Sequence, residues 1–288
     1  MIIRKSFAKI NITLEILRKR EDGYHDISSL MQTIDLSDEI SFSHSDMTIL
    51  RSNWRSMETD GNLIMQAAES LSKYSGYTGG ADIFLNKNIP LSSGMGGGSS
   101  NAACTLLALN SLWGLNIGLT ALHRIADGIG SDVSFFLGPG TALVQGKGDI
   151  IEPVASLPRL YFLIVTPDID IDNKTSLLYS NVKADMFTSG EYSQKVVGRI
   201  NQNRPIRGSD TYNVFDKIYG SLFPEIDWYK KTLLDSGAKW VQFTGSGPSL
   251  YTFSEDKDLV VSIMDRLVNS GVKCAISSTI SPDITDFI

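Results

Sequence analysis

PLSSGMGGGSSNAA, from Pro90 to Ala103, places Gly94, Gly96, Gly97 and Gly98 within five residues. Each glycine would weaken a regular helix by about 1 kcal/mol, so the tract makes sense where the backbone must approach a ligand. Ser99, Ser100 and Asn101 then open a helix, whose unpaired N–H groups and positive dipole end favour a phosphate. A flexible linker is the other use of a Gly/Ser tract. Here the tract lies between a strand-like run and a strongly apolar helix, which favours the phosphate cradle. It matches neither G-x-x-x-x-G-K-[ST] nor a G-x-G-x-x-G after the first strand.

Two charges sit inside apolar patterns. Lys9 interrupts FAKINITLEI, Phe7 to Ile16, and Asp132 lies between Ser131 and the run Val133 to Phe136. Buried charges are usually paired, and opposite charges a few ångströms apart favour both charged forms. A buried ion pair is what the two placements give by themselves. Tyr24 and His25 follow a charged turn around Asp22-Gly23, where an aromatic and an imidazole can both project into a cleft. Gly245, Ser246 and Gly247 form a second glycine nest, which a strand-to-strand turn explains as well as ligand contact does. TPDIDIDN, Thr166 to Asn173, carries Asp168, Asp170 and Asp172 and reads as a solvated loop face. His44 and His123 read as structural, and no His/Cys/Asp set has metal-ligand spacing.

These residues need elements to position them. Ile10, Ile12, Leu14 and Ile16 alternate with polar neighbours, which predicts a half-buried strand. Strands are also expected around Ile34 to Phe42 and at Ala81–Leu85, Ser134–Leu137, Thr141–Val144 and Leu160–Thr166. Further on, they are expected at Trp240–Thr244, Ser249–Phe253 and Val272–Ser277. Helices are expected after Asn62, over Ala102–Leu112, over Thr120–Ile129 with Thr120 as N-cap, within Met186–Arg207, and over Asp227–Ser236 and Leu259–Leu267. Mixed strands and helices give an α+β or α/β class.

The 288 residues suggest two domains on a prior of about 150 residues each. Glu152 to Pro158 is the expected boundary, giving domains 1–156 and 157–288. A net charge of −6 argues against a nucleic-acid footprint, which needs a basic face. No apolar run reaches transmembrane length, so no membrane partner is expected. Two cysteines, Cys104 and Cys274, make neither a disulfide framework nor a zinc set, which fits a reducing cytoplasm. The N-terminal residues lack the apolar core of a signal peptide.

The glycine tract resembles the phosphate loop of the GHMP kinase superfamily, Pro-x-x-x-Gly-Leu-Gly-(Gly)-Ser-Ser, with Met95 where Leu is common. Four further stretches carry the resemblance in the family's order along the chain: FAKINITLEI at Phe7 to Ile16, DGYHDISSLMQTIDLSDEI at Asp22 to Ile40, IGSDVSFFL at Ile129 to Leu137, and FTGSGPSLY at Phe243 to Tyr251. In the third, Ser134 stands where Pro is usual. The triple glycine and DGYH look like the branch that phosphorylates the 2-hydroxyl of 4-diphosphocytidyl-2-C-methyl-D-erythritol in the non-mevalonate isoprenoid route.

The resemblance implies an α+β, two-domain GHMP kinase fold. Its N-terminal domain would be like domain 2 of ribosomal protein S5, its C-terminal domain ferredoxin-like, and the site would lie between them. It further implies that Asp132 takes the proton of the substrate hydroxyl while Lys9 holds the carboxylate ionised. Pro90, Leu91, Ser92, Ser93, Gly94, Met95, Gly96, Gly97, Gly98, Ser99 and Ser100 would cradle ATP, with Asn62 and Lys87 near the adenine. Tyr24 and Tyr179 would stack on cytosine, His25 would bond its edge, and Asn11 would meet substrate or phosphate. The second glycine nest would close over the phosphates. The cofactor implied is ATP, with Mg²⁺ arriving on it and no resident metal. The implied partner is the cytidine diphosphate-linked small molecule, and the expected state is a monomer or weak homodimer. A relative acting on mevalonate, homoserine or a sugar would leave DGYH idle. A non-catalytic nucleotide-binding protein could lose Lys9 or Asp132, yet both are present.

Overall fold

The computed structural model describes residues 1–138, 140–169, 171 and 173–280. Strands β1 (Ile2–Asn11), β2 (Thr13–Lys19) and β3 (His25–Ser45) open the chain. The 21-residue β3 organises the first half. Its beginning pairs with β2, with Lys19 opposite His25, and its middle and end pair with β1, with Lys9 opposite Thr33 and Ile2 opposite Phe42. After it come β4 (Ile49–Ser52), α1 (Leu63–Ser75), β5 (Gly80–Asn86), α2 (Gly97–Leu112), α3 (Leu119–Asp127), β6 (Thr141–Gly146) and β7 (Ile150–Pro153). Helices α1, α2 and α3 cover the sheet through Ile64, Leu71, Leu106, Leu109 and Leu122, packed with Phe42, Ile83 and Phe135.

The second half runs β8 (Tyr161–Val165), α4 (Lys174–Ser180), α5 (Glu191–Asn201), β9 (Tyr212–Asn213), α6 (Asp216–Leu222), α7 (Ile226–Asp235), β10 (Gln242–Phe243), β11 (Leu250–Ser254), α8 (Lys257–Asn269) and β12 (Cys274–Ser278). Among the described residues it forms a four-stranded sheet of order β10-β11-β8-β12, the ferredoxin-like order. The short β9 instead pairs in parallel with β2. Two apolar clusters cross between the halves: Leu14, Ile16 and Ile27 pack with Leu163, Phe215 and Phe243, and Ile10, Ile12 and Leu30 pack with Phe162 and Tyr251. No described helix is long and apolar enough to cross a membrane.

Three sequence expectations need correction. The strand expected over Ile10–Ile16 is two strands, β1 and β2, and it is not half-buried, because Lys9, Asn11, Thr13 and Glu15 are buried too. The second half covers that polar face: Tyr251 OH donates to Asn11 O, and Ser193 N donates to Glu15 Oε1. Ser134–Leu137 is a 3₁₀ turn rather than a strand. Its apolar run has no period, so burial alone could not fix its type. The α3 N-cap is Gly118, one residue before the helix begins at Leu119, rather than Thr120.

Candidate active site

A cleft of about 960 Å³ gathers Lys9 and Asn11 from β1, His25 from β3, Asp132, and Tyr179 from α4, along with Gly94, Gly96 and Gly245. It brings together residues far apart in sequence because β2 and β3 carry one of the apolar clusters that join the halves and β1 and β3 carry the other.

At one end, Lys9 is 3% exposed and its Nζ lies 3.6 Å from Asp132 Oδ2, whose side chain is 30% exposed. Lys9 Nζ donates to Asn11 Oδ1 (2.5 Å) and Gly94 O (2.9 Å). Burial pulls the Lys9 ammonium below its usual range, and the Asp132 charge opposes that shift. Asn11 cannot turn away, since its Nδ2 donates to Ser29 Oγ (2.7 Å), which donates in turn to Thr13 O (2.6 Å). The Lys9 backbone N–H also donates to Met95 O (3.0 Å), so the phosphate loop is strapped to β1.

The glycine tract is a loop followed by helix, but α2 begins at Gly97, earlier than Ser99. Most of its glycines make room for the protein itself. A Cβ at Gly94 would sit 2.2 Å from Thr244 O, one at Gly96 2.9 Å from the Phe136 ring, and one at Gly97 2.9 Å from Lys87 Nζ. Gly94 and Gly96 also have positive φ, 83° and 70°. Gly98 is different: its nearest neighbour would be Leu63 Cδ1 at 3.5 Å. The loop thus packs against the second glycine nest, and the first-turn N–H groups of α2 lack intrahelical acceptors. Pro90 is half-buried, Leu91 and Ser92 are exposed, and buried Ser93 accepts from Ser249 N (3.3 Å). Met95 is buried. Ser100 Oγ accepts from Ser6 Oγ (2.8 Å), while Ser99 Oγ has no hydrogen bond among the described residues.

Lys87 and Asn62 lie outside the cleft. Lys87 Nζ is paired with buried Asp38 Oδ2 at 2.6 Å, which also accepts from Asn101 Nδ2. The Asn62 amide caps α1 by accepting from Ile64 N (2.9 Å) and donates to Met57 O (2.8 Å). Both side chains hold up the walls of the loop.

At the other end, Arg20 binds Asp22 and Asp26 and so fixes the DGY turn. Tyr24 is 60% exposed, with Lys147 Nζ 5.9 Å from its ring centre. His25 and Tyr179 ring centres are 5.4 Å apart, and Tyr179 meets the Phe215 edge at 5.1 Å. Burial first and Lys19 second lower the His25 pKa, so the imidazole is neutral near pH 7. Burial first and the Asp132 charge second raise the Tyr179 hydroxyl.

The chain matches the GHMP kinases N terminal domain over residues 62–140 and the GHMP kinases C terminal domain over residues 198–273. It is 37% identical over 276 residues to the 4-diphosphocytidyl-2-C-methyl-D-erythritol kinase of Dehalococcoides mccartyi, covering 96% of this chain and 97% of that one. The chain belongs to the GHMP kinase family. The enzyme of the same name from Thermodesulfovibrio yellowstonii is 35% identical over 260 residues, 89% of this chain and 91% of that one. A solved 4-(cytidine 5'-diphospho)-2C-methyl-D-erythritol kinase superposes with a TM-score of 0.82 at 26% identity, over 96% of this chain and 99% of that one.

In this GHMP kinase the cleft also holds residues that sequence reasoning missed: Lys19, Lys147, Ser131 and Lys174. Lysines in polar stretches carry no signal of burial. Asp38 was detectable by the same sign as Lys9, a charge within an apolar strand pattern. Of the TPDIDIDN aspartates, Asp168 is exposed and 3.4 Å from Lys273, while Asp170 and Asp172 lie outside the described residues.

Proposed function

We propose that this GHMP kinase transfers the γ-phosphoryl of ATP to the 2-hydroxyl of 4-diphosphocytidyl-2-C-methyl-D-erythritol. The observation that carries the reading is one cleft with the Lys9–Asp132 pair at one end and the His25–Tyr179 rings at the other. The names of the relatives, at 33–37% identity, support the same substrate.

Asp132 accepts the hydroxyl proton as the substrate oxygen attacks the γ-phosphorus and ADP leaves. Lys9 keeps that carboxylate ionised, and Asn11 keeps Lys9 in place. In phosphoryl transfer the protein mainly positions groups and neutralises charge, so one base and a few cations suffice. The loop from Pro90 to Ser100 offers backbone N–H groups to the phosphates, with Asn62 and Lys87 supporting its adenine side. Tyr24 and Tyr179 stack on the cytosine and His25 bonds its edge. Among the described residues no three His, Cys, Asp or Glu side chains gather around a point. Mg²⁺ that arrives with ATP and keeps much of its water fits this donor set. Of the two serines that open α2, Ser99 is the one whose hydroxyl makes no hydrogen bond among the described residues. ATP as donor puts the reaction in the cytoplasm, and the substrate end needs neither nucleic acid nor membrane. The division near residue 156 separates a nucleotide-binding half from a half that completes the cleft.

A coupled assay for ADP release tests the reading, run with the cytidyl substrate against mevalonate and homoserine. Turnover only with the cytidyl substrate supports it. Turnover with either of the others in its place overturns it.

A further inference from the structure

Lys174, the first residue of α4, is 7% exposed and lines the same cleft as Lys9 and Asp132. Its Nζ donates to Ser92 O in the phosphate loop and to Gly247 O in the second glycine nest. The next residue repeats the tie: Thr175 Oγ1 and Ser246 Oγ share a hydrogen bond of 3.0 Å. An ammonium carries three N–H donors, and two carbonyls use two of them. Carbonyls are dipoles and do not cancel a charge. Lys9 has Asp132 as counter-ion, whereas Lys174 has no carboxylate partner among the described residues. Burial first, and repulsion from Lys9 second, push the Lys174 ammonium down to about 8. A buried cation without a partner is costly, and an anion placed against it removes that cost.

We propose that Lys174 is a catalytic cation of this kinase, tying the two glycine-rich loops together and donating its third N–H to the phosphate chain of bound ATP. The proposal rests on the reading of the cleft as an ATP site. The Lys9–Asp132 pair is neutral overall, and Lys19 and Lys147 are exposed, so among the described residues Lys174 is the buried positive charge beside that pair that can offset the phosphoryl group in transit.

Lys9 from β1, Asp132, Tyr24, His25 from β3, Tyr179 from α4, Lys19 from β2 and Lys147 after β6 are the other titratable groups among the described residues lining the same cleft. Arginine at 174 separates Lys174 from all of them, because it keeps the charge and does not titrate.

The test is calorimetric titration of Mg-ATP at pH 8 in two buffers of different ionisation enthalpy, together with the pH profile of kcat/KM. The wild type is expected to take up about half a proton per ATP, as binding raises the Lys174 pKa. Its kcat/KM for ATP falls as pH rises through about 8, where Lys174 loses its proton. Lys174→Arg keeps a charge that does not titrate, so it should bind ATP with no proton uptake and lose the falling limb, whatever its kcat. Lys174→Met should lose about 10- to 100-fold in kcat, the worth of one hydrogen bond from a charged donor. Proton uptake and the falling limb that persist in Lys174→Arg overturn the proposal, and so does wild-type turnover in Lys174→Met. If Lys174→Met does not fold, the arginine variant decides. Wild-type proton uptake on ATP binding without turnover of the cytidyl substrate would sink the substrate reading while leaving Lys174 in place.

Discussion

Lys9 Nζ stands 3.6 Å from Asp132 Oδ2, farther than from the two oxygens it hydrogen-bonds, Asn11 Oδ1 at 2.5 Å and Gly94 O at 2.9 Å. The lysine is anchored by β1 and the phosphate loop, and it acts on Asp132 through its charge. The carboxylate is therefore left open to the cleft, able to accept a proton from a bound hydroxyl.

Asp132→Asn removes that acceptor and keeps the shape. It should lower kcat by about 10²–10⁴-fold, the usual worth of a positioned base. ATP affinity, measured by calorimetry, should change little. Turnover within a few-fold of wild type would exclude Asp132 as the base.

Gly97 and Gly98 are adjacent and should fail differently. A Cβ at Gly97 meets Lys87 Nζ at 2.9 Å and Ile89 Cγ2 at 3.0 Å, and Lys87 cannot yield without leaving buried Asp38. Gly97→Ala should therefore destabilise the fold by about 1–3 kcal/mol, as overpacking does. At Gly98 the nearest atom is Leu63 Cδ1 at 3.5 Å, so alanine fits the protein. Gly98→Ala should keep or raise stability, by up to about 1 kcal/mol of helix propensity. Alanine keeps the N–H, so ATP should weaken only if the added Cβ stands where the phosphate approaches the backbone. Thermal melts and ATP titrations of the two variants separate a packing glycine from a ligand glycine.

The pair Lys9 and Asp132 was legible because charge inside an apolar pattern needs an explanation wherever it occurs. The polar side of β1 and β2 was not. Alternation says which side chains share a face, but not what covers it, and the cover comes from Ser193 and Tyr251. The glycines were legible as a close approach, though at Gly94, Gly96 and Gly97 the approaching group is the protein's own. Lys174 was invisible for a related reason. Its two acceptors lie 82 and 73 residues away, and a lysine after Asn173 in a polar stretch looks like any solvated one.

Asp35 fastens β12 to β3 at the seam between the sheets, accepting from Ser277 Oγ (2.6 Å), Ser278 N (2.7 Å) and Ser278 Oγ (2.7 Å). Burial alone would raise its pKa, but these bonds, with Arg159 nearby, outweigh it and hold the carboxyl below the usual range. A depressed carboxyl adds stability that is complete above the unfolded value of about 3.9 and is lost as pH falls through the folded one. Asp35→Asn should cost about 1–2 kcal/mol at pH 7, kept small by solvent exposure. The gap between its urea midpoint and that of wild type should close below about pH 4. A gap that is the same at pH 3 and pH 7 would mean that the charge contributes nothing.

Substrate identity rests on the ring end of the cleft. His25 lies 5.4 Å from Tyr179, and exposed Tyr24 is free to swing onto a bound base. A base stacked on an aromatic ring gains about 1–3 kcal/mol, so Tyr24→Ala should raise KM for the cytidyl substrate about ten-fold or more. Tyr179→Ala should do the same, with an added stability loss because its ring packs on Phe215. His25→Ala should reduce discrimination against a uridyl analogue, since the lost contact is to the edge of the base. Because burial keeps the His25 imidazole neutral near pH 7, that discrimination should be steady above pH 7 and change only as acid protonates the ring. KM for ATP should barely move in any of the three variants. If they weaken ATP and leave the cytidyl KM unchanged, the rings serve the nucleotide donor, and the acceptor must be some other alcohol.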